Sequence, residues 1–159
     1  ITACLNESQR LSPSAPATVR WLTEDTQLGK WLMPAGTCVA PCMYLTQRRK
    51  DVFGEDAHEY RPERWLDGSC KPKPWEFFPF GGGRRACAGM AQARQQLRII
   101  LAEIVRRVTF ESNEDYIHND QLPTPRLVGG QTEPKDGVLV TVKEVKPVTA
   151  GLPEMRRSA

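Results

Sequence analysis

Between Phe80 and Gly89 the chain reads FGGGRRACAG, and no other segment concentrates residue types so suited to chemistry. Consecutive glycines permit positive φ and let backbone approach a flat or bulky ligand where a β-carbon would stand in the way. Cys87 comes just ahead of a long helical pattern, where unpaired N–H groups and the positive end of the helix dipole favour a thiolate, and Arg84 and Arg85 add positive charge. A stabilised thiolate is either a nucleophile or a metal ligand. A nucleophile wants a histidine base, yet His58 and His118 both lie in polar loop sequence with no supporting pattern. Zinc is no better served: Cys38 and Cys42 are split by Pro41 and have no second pair at finger-like spacing, so both read as buried or incidental cysteines. A phosphate loop is excluded because neither GK[ST] nor dinucleotide spacing is present.

Haem iron held by one thiolate accounts for the glycines, the arginines and the cysteine together. Phe80, Gly83, Arg85, Cys87 and Gly89 reproduce FxxGxRxCxG, the haem-binding signature of the cytochromes P450, and the chain resembles that family. Two further motifs stand in the family's order: ESQR, Glu7 to Arg10, matches ExxR, and PERW, Pro62 to Trp65, matches the PERF element. The resemblance runs from the ExxR helix to the last strand and corresponds to about the C-terminal third of a family member. It implies an α+β, mostly α fold. It also implies haem b as cofactor, Cys87 as the proximal iron ligand, Arg85 and Arg20 at the haem propionates, and Phe80, Gly83 and Gly89 shaping the loop. Arg20 is placed by its spacing to MPAG. Glu7, Arg10 and Arg64 would form the family's structural cluster; with no motif context they would read as a surface ion pair worth at most about 1 kcal/mol. The sequence departs from the pattern at Gln96, where many members carry Glu, and at Arg84, where Pro is common.

The implied activity is insertion of oxygen from O2 into a lipophilic small molecule, with electrons from NADPH-cytochrome P450 reductase or a ferredoxin-type donor. Substrate selection would fall to Ser14 to Val19 and to the tip from Val128 to Thr132. RRKDVFGEDAHEYRPERW resembles fungal alkane and fatty-acid hydroxylases, which implies the cytoplasmic face of the endoplasmic reticulum membrane in a eukaryote and the cytoplasm otherwise. Membrane association would come through a segment outside this sequence. So would the distal helix with its acid/alcohol pair, without which this piece is expected not to complete the reaction. Two other classes remain open: a fragment that keeps the motifs but binds no haem, and a haem-thiolate protein that does not oxygenate.

Several elements must position these residues. ITACLNESQRL reads as a helix already under way at Ile1, with Ile1, Cys4, Leu5 and Ser8 on one face, so the sequence is expected to be a piece of a longer protein. TVRWLT is β-prone, and Pro34 and Gly36 suggest a type I turn joining Lys30–Leu32 to Thr37–Ala40 in a hairpin that ends at Pro41. Residues 50–79, rich in charge, proline and aromatics, should form an irregular packed loop around Tyr60, Trp65, Trp75, Phe77, Phe78 and Phe80. Met90, Ala93, Leu97, Ile100, Leu101, Ile104, Val105 and Val108 mark a helix whose broad apolar stripe suits burial. GGQTEPKDG reads as a hairpin tip before a strand at Val138, Val140 and Val142.

The 159 residues have the length of one domain, read as a haem-binding portion over 1–146 and a disordered tail over 147–159. Lys and Arg number 22 against 19 Asp and Glu, and a net charge of +3 is too small and scattered to argue for nucleic acid. Arg48, Arg49 and Lys50 read as a solvated helix end. Five cysteines at irregular spacing are no disulfide framework and fit a reducing compartment. No apolar run is long enough to cross a bilayer.

Overall fold

The computed structural model describes residues 1–112, 125–135, 137, 138 and 140–146. The expected tail at 147–159 and His118 lie outside the described residues. Helix α1 spans Thr2–Leu11, and helix α4 spans Met90–Arg107. Between them come strands β1 (Arg20–Trp21), β2 (Thr26–Leu28), β3 (Trp31–Met33) and β4 (Cys38–Val39), then the short helices α2 (Met43–Thr46) and α3 (Lys50–Phe53). Two 3-10 turns follow at Pro62–Trp65 and Gly83–Arg85. After α4 come β5 (Val108–Ser112), β6 (Pro125–Val128), β7 (Gln131–Pro134) and β8 (Val140–Val145). The class is α+β. Among the described residues α-helix is the larger part of the regular structure and the strands form short antiparallel pairs.

Each sheet is an antiparallel pair: β1 with β4, β2 with β3, β5 with β8 and β6 with β7. The hairpin expected between Lys30–Leu32 and Thr37–Ala40 does not form. β3 pairs instead with β2, closed by the two residues between Leu28 and Trp31, and β4 pairs with β1 in the register Arg20↔Val39 and Trp21↔Cys38. The signal missed was Gly29, whose φ of +60 supplies the left-handed residue that a two-residue hairpin turn needs. A turn does close from Thr37 N–H to the Pro34 carbonyl at 3.1 Å, but Gly36 at φ +80 makes it type II rather than type I. Likewise Gly129 and Gly130 alone form the last hairpin's tip, and Gln131–Pro134 is strand.

The face that α1 buries is not the apolar one. Ala3, Glu7, Arg10 and Leu11 are buried, while Ile1 and Ser8 are exposed. Ionised groups turn inward here because partners on residues 47–65 meet them. Below them Phe53, Ala57 and Cys70 form a small core, with Trp65 and Phe77 packed against it at 4.7 Å between ring centroids. Tyr60 and Trp75, expected in the aromatic cluster, are exposed. Arg48, expected in solvent, is half-buried, stacked on the Tyr44 ring and donating to the Leu11 and Tyr44 carbonyls. The stripe of α4 is also uncovered: Leu97, Ile100, Ile104 and Val105 are exposed, and Val108 has left the helix to begin β5.

Gly54, just past α3, adopts φ 88 and ψ 176, a conformation open essentially only to glycine, and a β-carbon there would lie 3.0 Å from Asp56 Oδ1. Gly29 at φ +60 has open space around its missing β-carbon. Gly54→Ala is therefore expected to cost about 1–3 kcal/mol, and Gly29→Ala only about 1 kcal/mol. Thermal unfolding of the two variants checks the order; equal losses would contradict it.

Candidate functional site

Glu7 is fully buried and its carboxylate accepts five hydrogen bonds. Oε1 receives Arg10 Nη2 at 2.8 Å, Arg64 Nε at 2.9 Å and the Arg61 backbone N–H at 3.0 Å. Oε2 receives Arg10 Nε at 2.9 Å and Trp65 Nε1 at 2.8 Å. The three-residue spacing of ExxR puts Glu7 and Arg10 on one helical face, one turn apart, which makes their paired contact possible. The 3-10 turn begun by Pro62 turns Arg64 and Trp65 back toward the same carboxylate.

Neither guanidinium has an unused donor. Arg10 also donates to the carbonyls of Gln47, Ala57 and Glu59 at 2.9, 2.6 and 3.1 Å. Arg64 reaches the Phe53 carbonyl at 2.7 Å, Asp56 Oδ1 at 3.1 Å, and the carbonyls of Asp56 and Glu59 at 3.0 and 3.5 Å. Backbone from four separate places is thereby fixed to one carboxylate. Burial pushes the Glu7 carboxyl up, but Arg10, the Arg61 N–H and Trp65 together outweigh it and hold the group below its ordinary range.

Gln47 carries this rigidity to the cysteine loop. It is fully buried; its amide nitrogen donates to the carbonyls of Gln9 and Arg10, and its Oε1 accepts the Phe78 N–H at 3.0 Å. From Phe78 the chain closes on itself: Gly81 N–H to the Phe78 carbonyl at 2.8 Å, Ala86 N–H to Gly83 at 3.1 Å, and Cys87 N–H to Phe80 at 2.9 Å. Gly81 and Gly83 have φ of +74 and +64, which these tight closures require. Gly89 caps α4 at an ordinary φ of −87, so its use is different: a β-carbon there would stand 3.9 Å from the Cys87 sulfur. Cys87 is not the residue next to the helix. It precedes the first helical residue, Met90, by three positions, and its carbonyl accepts the Met90 N–H at 3.3 Å.

The Cys87 thiol is exposed. It lines a cavity of about 350 Å3 together with Arg85 and Phe80, walled by Pro13, Ala15 and Met43. A second concavity, about 500 Å3, is lined by Arg20, Phe78, Trp75 and Gly81 to Gly83, and the two share Thr18 and Gly81. Phe80, Arg85 and Cys87 thus line one concavity and Arg20 and Gly83 its neighbour, while Gly89 sits beside the sulfur. Arg20 donates to the Val19 carbonyl at 2.8 Å, and neither Arg20 nor Arg85 has a carboxylate partner among the described residues. Across α4, Arg94 covers the Phe80 ring at 5.4 Å. Among the described residues, no group of three His, Cys, Asp or Glu side chains could hold a metal, all five cysteines are free, and no helix is long and apolar enough to cross a membrane.

A thiol, two guanidiniums without carboxylate partners and a glycine loop thus lie along two adjacent concavities. The family model that matches the chain, over residues 1–139, is that of cytochrome P450. Among curated proteins, the 1,25-dihydroxyvitamin D(3) 24-hydroxylase, mitochondrial, of Rattus norvegicus is 41% identical over 127 residues, covering 80% of this chain and 23% of the relative. Cytochrome P450 52A3-A of Candida maltosa is 30% identical over 152 residues, covering 90% and 28%. Cytochrome P450 734A5 of Oryza sativa subsp. japonica is 38% identical over 117 residues, covering 72% and 22%. The chain belongs to the cytochrome P450 family. It spans about a quarter of the length of the curated relatives it matches.

Sequence reasoning found Glu7, Arg10 and Arg64 but missed Gln47, Trp65 and Asp56 as their partners. Only the Trp in PERW sat inside a motif; Gln47 and Asp56 carry no local signal. Removal of the carboxylate in Glu7→Ala leaves two buried guanidiniums without their counter-charge, at an expected cost of about 3–5 kcal/mol. The pH dependence has a definite sign. Because the folded carboxyl has the lower pKa, its stabilisation is complete above the unfolded value of about 4.3 and is lost as pH falls through the folded value. The stability gap between wild type and Glu7→Gln, measured by denaturant unfolding, is expected to be widest above this range and to narrow on acidification. A gap that widens in acid would contradict the assignment.

Proposed function

We propose that this chain is the C-terminal, haem-binding portion of a haem-thiolate monooxygenase, with residues 1–146 forming that portion. The observation that carries the reading is the exposed Cys87 thiol on the cavity lined by Phe80, Gly81 and Arg85, next to a second concavity lined by Arg20. The residues present fit haem b. A β-carbon at Gly82 or Gly83 would project into open space, so nothing of the chain's own stands against a flat ring there. Two guanidiniums without carboxylate partners suit its two propionates, and the walls of Pro13, Ala15, Met43 and Phe80 suit its apolar faces.

In this reading the Cys87 thiolate is the proximal ligand, Arg20 and Arg85 orient the propionates, and Phe80, Gly83 and Gly89 keep the loop thin beside the sulfur. Glu7, Arg10 and Arg64 hold the loop's support in one shape and take no part in the chemistry. Bound haem iron with a thiolate ligand supplies the dioxygen chemistry, the thiolate favouring O–O cleavage. The substrate would be a lipophilic small molecule, since Ser14 to Val19 and the Val128–Thr132 tip offer mainly small or apolar groups. Electrons would come from NADPH-cytochrome P450 reductase or a ferredoxin-type donor. The resemblance to fungal hydroxylases supports the cytoplasmic face of the endoplasmic reticulum; the rat relative is named as mitochondrial, and fractionation of cells expressing the full reading frame decides between the two.

Carbon monoxide tests the ligand. The reduced complex of the haem-loaded protein is expected to show the strongly red-shifted Soret band of thiolate haem, and Cys87→His to move it to the position of imidazole ligation. Cys38→Ser, Cys42→Ser and Cys70→Ser are expected to leave it alone. An unchanged band in Cys87→His would sink the reading.

A further inference from the structure

A cation with no counter-charge among the described residues stands over the Phe80 ring. Arg94, one turn into α4, places its guanidinium carbon 5.4 Å from the ring centroid, within the range in which the π face attracts a positive charge. Its Nε is shut off from water and has no hydrogen-bond partner, and the side chain makes no ion pair among the described residues. Neither does the start of α4 supply an acid, since its first turn carries none. Phe80 in turn belongs to the cysteine loop: its carbonyl accepts the Cys87 N–H at 2.9 Å, and it lines the cavity that holds the thiol. Arg98, one turn further along α4, lines the same hollow of about 310 Å3 between α1 and α4 as Arg94 does, yet it is exposed where Arg94 is half-buried.

Shutting a guanidinium N–H away from water without a partner is unfavourable, and a ring face offsets only part of that. A charge so placed is screened less than one in solvent and reaches further. Iron bound at Cys87 gains one unit of negative charge when it is reduced, and a cation held nearby favours the reduced form. We propose that Arg94 is a tuning residue for the haem iron, its guanidinium seated on the Phe80 ring so that its charge raises the reduction potential of the thiolate-bound metal. The inference rests on the reading of Cys87 as the haem-iron ligand. Arg94 need not touch the sulfur; its charge acts across the ring.

The test uses the haem-loaded full-length protein, titrated with dithionite in the presence of redox dyes, and its carbon monoxide complex read by infrared spectroscopy. Arg94→Met keeps a long side chain against the ring and removes the charge. It is expected to shift the one-electron equilibrium about tenfold toward ferric iron, a fall of about 59 mV. The C–O stretch is expected to move to lower frequency, because a thiolate relieved of the cation donates more strongly to iron. Arg94→Lys, which keeps the charge, is expected to restore both readouts, and Arg98→Met, which removes an exposed charge, to leave both unchanged. An unaltered potential in Arg94→Met overturns the inference, and so does an equal fall in Arg94→Lys or in Arg98→Met. Arg94→Gln is the second neutral variant, and failure of both neutral variants to hold haem would make Arg94 structural and overturn it too. If the wild-type carbon monoxide complex lacks the red-shifted Soret band, the reading of Cys87 itself has failed.

Discussion

A buried carboxylate shared by two guanidiniums organises everything else in this chain. An ionised Glu7 in an apolar interior would be too costly to persist, and five donors around it remove that cost. The arrangement is better understood as a device for shape than for net stability, because a buried ion pair seldom outperforms a well-packed apolar one. What it specifies is where residues 47, 53, 56, 57 and 59 place their carbonyls, since Arg10 and Arg64 have no donor left for any other geometry.

From that anchor the order of construction runs outward. Gln47 receives the Arg10 guanidinium on its carbonyl and passes the constraint through its side chain to Phe78, five residues from the start of the 3-10 turn that precedes the cysteine. The glycines then let the loop fold tightly enough for the Cys87 N–H to meet Phe80. The sulfur stays exposed beside Arg85, which, like Arg20, has no carboxylate partner among the described residues. The chemistry proposed for Cys87 thus depends on a polar network that never touches it.

Motif residues were the legible part of the sequence. FxxGxRxCxG, ExxR and PERW each encode a local geometry in fixed spacing, and the ExxR and PERW members meet at the Glu7 carboxylate. The three-residue step of Glu7 and Arg10 is a statement about helical faces, and Pro62 is a statement about a turn. Burial was far less legible. The face of α1 that carries Glu7 and Arg10 is the buried one, as their place in a motif implied and as hydrophobic periodicity, which does not register partners fifty residues away, could not show. The stripe of α4 was expected to be covered and is not, since a stripe announces only that something apolar suits it. Strand pairing failed at β3 for a simpler reason: Pro34 and Gly36 are conspicuous turn residues, and the lone Gly29 that directs the hairpin is not.

Iron K-edge X-ray absorption of the haem-loaded protein tests the central claim most directly, because it counts the atoms bonded to the metal. The account predicts one sulfur bonded to iron, lost in Cys87→Ser and retained when Cys4, Cys38, Cys42 or Cys70 is replaced by serine. Iron bonded only to nitrogen or oxygen in the wild-type protein, or a sulfur that survives Cys87→Ser, would contradict it.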